Sequence, residues 1–154
     1  MKLPKGITGF RHVDEPELPQ CDTSTFRATC SDAVRKVGGF IQKGNRLRGV
    51  ETNFHMTIVK LPADRVGVLM NRYYPIIAFA VPPESEDTGP QQFIDCPEIA
   101  NVFRTSGYYE VLGKAELERP ASESDLQHLG PSEIDQADYW RPQRLGDFVF
   151  NFWD

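Results

Sequence analysis

Cys96 stands directly before Pro97, and proline at the first helical position is a common way to begin a helix. A thiol at a helix N-terminus is held nearer its thiolate form, which is the nucleophile. A neighbouring base would complete a thiol catalyst. His55 projects from the exposed side of a strand pattern and is the imidazole that could reach Cys96. The commoner meaning of each residue is plainer: a small half-buried side chain at a helix entry, and a surface residue of a strand. His12 and His128 fall in a loop and a short helix, and no His-Glu-x-x-His or Cys-x-x-Cys spacing occurs. A zinc site needs three or four converging ligands, so neither a metal site nor a cofactor is expected. The chain also lacks a phosphate-binding glycine loop, a dinucleotide fingerprint and a Gly-x-Ser-x-Gly elbow. Thr105-Ser106-Gly107 reads as a helix end, not as a nucleophile.

The carboxylates are the second chemical signal. Asp14, Glu15 and Glu17 form one cluster, and Glu84, Glu86 and Asp87 a second. A third runs through Glu116, Glu118, Glu123, Asp125, Glu133, Asp135 and Asp138. Such runs are most often solvated faces. Their functional reading is a negative surface that steers and holds a basic protein. Tyr139, Trp140 and Arg141 follow the third run, and these residue types dominate interface hot spots. Trp140 has a structural alternative, since it lies close to the aromatic C-terminal segment.

The elements that position these residues can be read from periodicity. Phe26, Cys30, Ala33, Val34 and Val37 share one stripe of a 3.6-residue period. Asp22 or Thr23 can cap that helix, and Gly38-Gly39 stop it. "KGNRLRG" (43–49) predicts a turn. Val50, Thr52, Phe54, Met56 and Ile58 then alternate with Glu51, Asn53, His55 and Thr57, a strand with one wet face. "RVGVLM" and "IIAFAV" follow across short turns and predict antiparallel neighbours. The second of these lacks alternation, which predicts a central strand covered on both faces. Pro97, with Ile99, Val102 and Phe103 and then Gly107, predicts a helix over 97–106. "YYEVLG" reads as a strand. Ser124 and Gln127 have capping-box spacing for a helix over 124–129. Phe148, Phe150 and Phe152 alternate with Asp147, Val149, Asn151 and Trp153, predicting a closing strand that completes the core. Residues 11–21 and 82–92 read as exposed loops.

These elements make a single α+β domain over residues 1–154, a mostly antiparallel sheet with two or three helices. At 154 residues and 40% hydrophobic content, such a chain buries about two thirds of its unfolded surface. No apolar run approaches the roughly 20 residues that cross a bilayer, so no membrane partner is expected, and "MKLPKGITGF" is no signal peptide. Cys21, Cys30 and Cys96 are odd in number and widely spaced, which predicts free thiols in a cytoplasmic protein. A net charge of −5 disfavours nucleic acid and suits a basic protein.

An early helix, a central hairpin, "NRYYPIIAFA", "FIDCPEIANVF" and the ending "YWRPQRLGDFVFNFWD" give the chain its overall character. In that character it resembles small bacterial immunity-type proteins, the cytosolic partners of polymorphic or contact-dependent toxins. The resemblance implies a non-enzymatic domain that binds a partner, such as a toxin, and blocks it. It carries over no binding residue by motif. From the residues alone, the candidate contacts are Asp14, Glu15, Glu17, Glu84, Glu86, Asp87 and Trp140. Two other readings stay open: an enzyme using Cys96 or a carboxylate pair, and a small-ligand pocket lined by Phe and Tyr.

Overall fold

A computed structural model describes residues 1–45, 52–83 and 89–153 of the chain. The first helix, α1 (Thr23–Lys36), begins where Asp22 accepts from the Ser24 amide at 2.9 Å. It ends at Val37, and Gly38 takes a positive φ of 77° that only glycine adopts without strain. Four strands follow: β1 (Phe40–Asn45), β2 (Phe54–Lys60), β3 (Arg65–Asn71) and β4 (Ile76–Ala80). All three successive pairings are antiparallel; the short turns predict this for β2–β3 and β3–β4, whereas β1 is a strand that the sequence pattern does not announce. Beyond β4 the edge is shared. β5 (Phe93–Ile94) pairs antiparallel with its end, and β6 (Glu110–Val111) pairs in parallel with its beginning. β4 is therefore interior, and all five of its residues are buried.

Five further helices among the described residues complete the chain: α2 (Pro97–Thr105), α3 (Lys114–Glu118), α4 (Glu123–Leu126), α5 (Pro131–Trp140) and α6 (Leu145–Val149). The fold is α+β with a mostly antiparallel sheet, and it carries more helices than the two or three expected. Three of the five exceed no more than a turn or so, too short for a 3.6-residue pattern to show. α4 is capped by Ser122 and Asp125, which exchange both capping-box hydrogen bonds, not by Ser124 and Gln127. No helix among the described residues is long and apolar enough to cross a membrane.

Helices α1 and α2 cover one face of the sheet. Phe26, Cys30, Val34, Ile99 and Phe103 pack there on Val59, Val68, Met70, Ile77 and Phe79. The N-terminal segment and residues 114–153 cover the other face, with Leu3, Ile7, Leu117, Leu145, Phe148 and Phe150 on Phe54, Met56, Leu69 and Ala78. This double cover corrects the expected wet face of β2. Thr57 is buried and His55 half-buried on the side, shared with Val59, that α1 roofs, and Asn53, just ahead of the strand, is buried by the two terminal segments. Val50 and Glu51 lie outside the described residues, and the strand itself begins at Phe54. The predicted turn at 43–49 overlaps the end of β1; its residues 46–49 lie outside the described residues.

The closing strand is also corrected. Residues 145–149 form α6, and 150–153 run on as extended chain without a sheet partner among the described residues. Phe148 and Phe150 are buried as expected, but so are Val149, Asn151 and Trp153, which alternation sends to solvent. An alternating segment meets those burial demands equally well when it sinks between two layers. Burying each aromatic ring contributes about 1.5–3 kcal/mol, so the segment holds without joining the sheet.

Its polar atoms are satisfied by three buried asparagines. Asn53 Nδ2 donates to Ile7 O and Val149 O, both at 2.9 Å, and Asn53 Oδ1 accepts from the Asn151 amide at 2.6 Å. Asn71 Nδ2 donates to the same two carbonyls at 3.0 and 2.8 Å, while Asn151 Nδ2 reaches Thr8 O at 3.1 Å. Replacing Asn53 with Ala strands the Asn151 amide in the core, where each unpaired polar group costs about 1–3 kcal/mol. The expected result is a loss of at least about 2 kcal/mol in urea unfolding. A loss under about 0.5 kcal/mol, the size of an ordinary surface substitution, would show that the amide network is not needed.

Candidate functional site

Cys96 is the residue immediately before α2, and it is buried. Burial outweighs the Ile99 amide and pushes its thiol up, the direction opposite to that of an activated nucleophile. Burial likewise raises Cys21 and takes Cys30 up to about 12. All three cysteines are free. His55 is pushed down to about 4, first by burial and then by Arg72 and Arg27. The charges acting on Cys96 are Glu98 and Asp64, so the two groups sit in different electrostatic surroundings. A protonated thiol and a weakly basic imidazole do not make a catalytic pair. Among the described residues, no group of three or more His, Cys, Asp and Glu is placed to hold a metal.

The acidic residues separate into structural and free sets. Glu133 is fully buried and accepts from the Gly6 amide at 2.7 Å, the Thr8 amide at 3.0 Å, the Thr8 hydroxyl at 2.5 Å and the Gly130 amide at 3.0 Å. It clamps the N-terminal segment to the start of α5. Asp125 accepts both guanidinium nitrogens of Arg119, at 2.7 and 2.8 Å, and also the Ser122 amide and hydroxyl. The Arg119 contact holds its carboxyl well below the usual carboxylate range. Glu116 is shared with the same arginine. Glu118, Glu123, Asp135 and Asp138 remain exposed. Glu84, Glu86 and Asp87 lie outside the described residues.

Glu15 and Glu17 of the first cluster border a cavity of about 270 Å³. Its apolar wall is Phe10, Pro16 and Leu18, and its far side is Gly130 and Ser132 at the start of α5. Gly6 lies beneath Leu18, where a Cβ would strike the leucine methyl, and its φ of 91° favours glycine as well. Lys5, Arg11, Glu15 and Glu17 line the rim. Glu15 pairs with Lys5 at 2.9 Å, and that hydrogen bond lowers the acid and raises the amine. Arg11 donates to the carbonyls of His12 and Glu15 at 3.2 and 2.7 Å. Asp14 and Glu17 are exposed.

Helix α5 carries the site onward. Ser132, Asp135, Gln136 and Tyr139 recur at i, i+3, i+4 and i+7, one side of the helix, so the cavity and Tyr139 lie about 10 Å apart along it. Tyr139 is 77% exposed, yet its ring meets Trp140 edge-on with centroids 5.3 Å apart. Trp140 rests in turn on Phe152 at 5.9 Å, and its Nε1 donates to Gln136 Oε1 at 3.2 Å. Half-buried against the core, Trp140 is a support; Tyr139 is the side chain that it presents. Arg141, at φ 51°, ends the helix directly after them.

The structure thus brings Glu15 and Glu17, but not Asp14, to the lining of a cavity that α5 shares, and places Trp140 at the other end of that helix. Sequence reading missed the cavity wall because it treats residues 11–21 as a solvated loop. The available signal was apolar: Phe10 and Leu18 flank the acids at a spacing that allows both to face inward. No family model, curated protein or solved structure matches the chain.

The depressed His55 fixes a pH dependence. In the unfolded chain the imidazole takes a proton near 6.5; in the fold it stays neutral until about 4. Stability from this group is complete above pH 6.5 and is lost as pH falls toward 4. Chemical unfolding across that window should show the decline, and His55→Gln should flatten it. A variant that keeps the wild-type slope would rule out His55 as its source.

Proposed function

We propose that this chain is a non-enzymatic protein-binding domain, an immunity-type protein of the bacterial cytoplasm that occludes a basic toxin. The observation that carries this reading is the surface along α5. An apolar cavity whose charged rim leaves the Glu17 carboxylate unpaired among the described residues, and a tyrosine held outward by a tryptophan, lie on one side of one helix. Interfaces of this kind work through an apolar anchor near the centre and charges at the rim. Asp14, Glu17, Asp135 and Asp138 are exposed and can draw a basic partner in. The net charge of −5 acts in the same direction. The catalytic alternative loses support from the raised thiols and the lowered imidazole. A cavity of about 270 Å³ also suits a small ligand, and that is the second reading.

Association with the product of the adjacent gene, measured across salt concentrations, separates them. The protein-binding reading expects an association rate that falls steeply with salt, because screening shortens electrostatic reach to about 10 Å at 0.1 M. Glu17→Lys combined with Asp135→Lys and Asp138→Lys should lower the association rate with the fold intact. Tyr139→Ala should weaken binding by more than about 2 kcal/mol at nearly unchanged melting temperature, whereas Trp140→Ala should cost stability first. An authentic partner whose binding ignores salt, the charge reversals and Tyr139 would reject this surface.

A further inference from the structure

Resting on the protein-binding reading above, we propose that the cavity beside α5 receives an arginine side chain of the protein partner. Three features of the cavity select that occupant. Its wall of Phe10, Pro16 and Leu18 matches the apolar stem of a long basic side chain, and a guanidinium at its mouth can lie over the Phe10 ring. Its rim holds one uncommitted carboxylate. Glu15 is taken by Lys5 at 2.9 Å, whereas Glu17 is exposed and forms neither an ion pair nor a hydrogen bond within the described residues. The surrounding charge is negative as well. Glu15, Glu17 and the buried Glu133 stand against Lys5 and Arg11, and Glu133 is close enough to raise the Lys5 amine. An apolar anchor would cover Glu17 without pairing it, at a desolvation cost. An acidic anchor would meet the negative surroundings. Lysine satisfies the charge but lacks the planar fork that stacks on an aromatic ring and binds a carboxylate through two hydrogen bonds.

The test titrates the ¹⁵N-labelled full chain with acetyl-arginine N-methylamide, and in parallel with the corresponding lysine and phenylalanine compounds. The expected result is that the arginine compound shifts the amide signals of Gly6, Phe10, Leu18 and Gly130 and saturates at millimolar concentration, while lysine binds more weakly. Glu17→Gln, a change at an exposed unpaired residue, should weaken that binding about fivefold, the factor that an exposed ion pair near 1 kcal/mol represents. Tyr139→Ala should leave it unchanged. A stronger response to the phenylalanine compound, or no response to arginine at tens of millimolar, would overturn the inference. It would do so without touching the wider reading, which stands on salt dependence and Tyr139. Conversely, a cavity that takes the arginine compound in a chain whose partner binds equally well to wild type and Glu17→Gln would overturn the assignment of the arginine to the partner.

Discussion

Three asparagine side chains, Asn53, Asn71 and Asn151, carry the hydrogen bonds that let irregular chain from both terminal segments join the short helices covering one face of this sheet. The N-terminal segment and residues 150–153 bring backbone carbonyls and amides into the core, where no strand or helix pairs them. A buried unpaired peptide group is costly enough to exclude such a layer. The amide side chain answers this because it donates and accepts together: Asn53 and Asn71, at the ends of two adjacent strands, serve Ile7, Val149 and Asn151, and Asn151 in the terminal segment serves Thr8. Phe54, Phe93 and Phe150 then close round the segment with ring centroids about 6 Å apart, at 6.0 and 6.1 Å.

That arrangement determines where a site can form. The N-terminal segment is held from below by Asn53 and Asn71 and from the side by Glu133, so residues 5–18 lie against the start of α5 in one defined position. The cavity is the gap left where Leu18 crosses Gly6. Glu133 is the more economical of the two devices: one carboxylate accepts four hydrogen bonds from two separated stretches of chain and also caps α5. Its charge remains beside the cavity and contributes to the field there.

The same division runs through all the ionisable groups. Asp125 and Glu133 are consumed by the fold, Glu15 and Glu116 by ion pairs, and only the exposed remainder is free to act on another molecule. The buried thiols and His55 are shifted toward their neutral forms by loss of solvent, the usual result when no partner charge compensates. Neutral thiols, two buried carboxylates fully taken up by hydrogen bonds, and the remaining carboxylates outside make an interior with little free chemistry and a negative exterior.

Much of the fold is legible in the sequence, because periodicity and punctuation are local. The apolar stripe from Phe26 to Val37 defines α1, Pro97 and Gly107 bracket α2, and the short turns around β3 impose antiparallel pairing. The unbroken apolar run at 76–80 marks β4 as interior. Alternation, in contrast, reports only that successive side chains differ, not what covers them. Asn53, Thr57 and Asn151 read as wet-face residues and are buried, because α1 and the terminal segments arrive from distant parts of the chain. For the same reason Phe148, Phe150 and Trp153 read as a strand yet belong to a short helix and an extended segment. Of the site, the sequence by itself determined the carboxylates and the Tyr-Trp pair, since their types need no context. Which carboxylates are free, that Phe10 and Leu18 wall a cavity, and that α5 joins it to Tyr139 were decided by tertiary structure alone. The carboxylates are sorted by which side chains meet in the fold, and the cavity joins residues 5–18 to the start of α5 across more than a hundred residues, as Gly6 meets Glu133; no local pattern encodes those contacts.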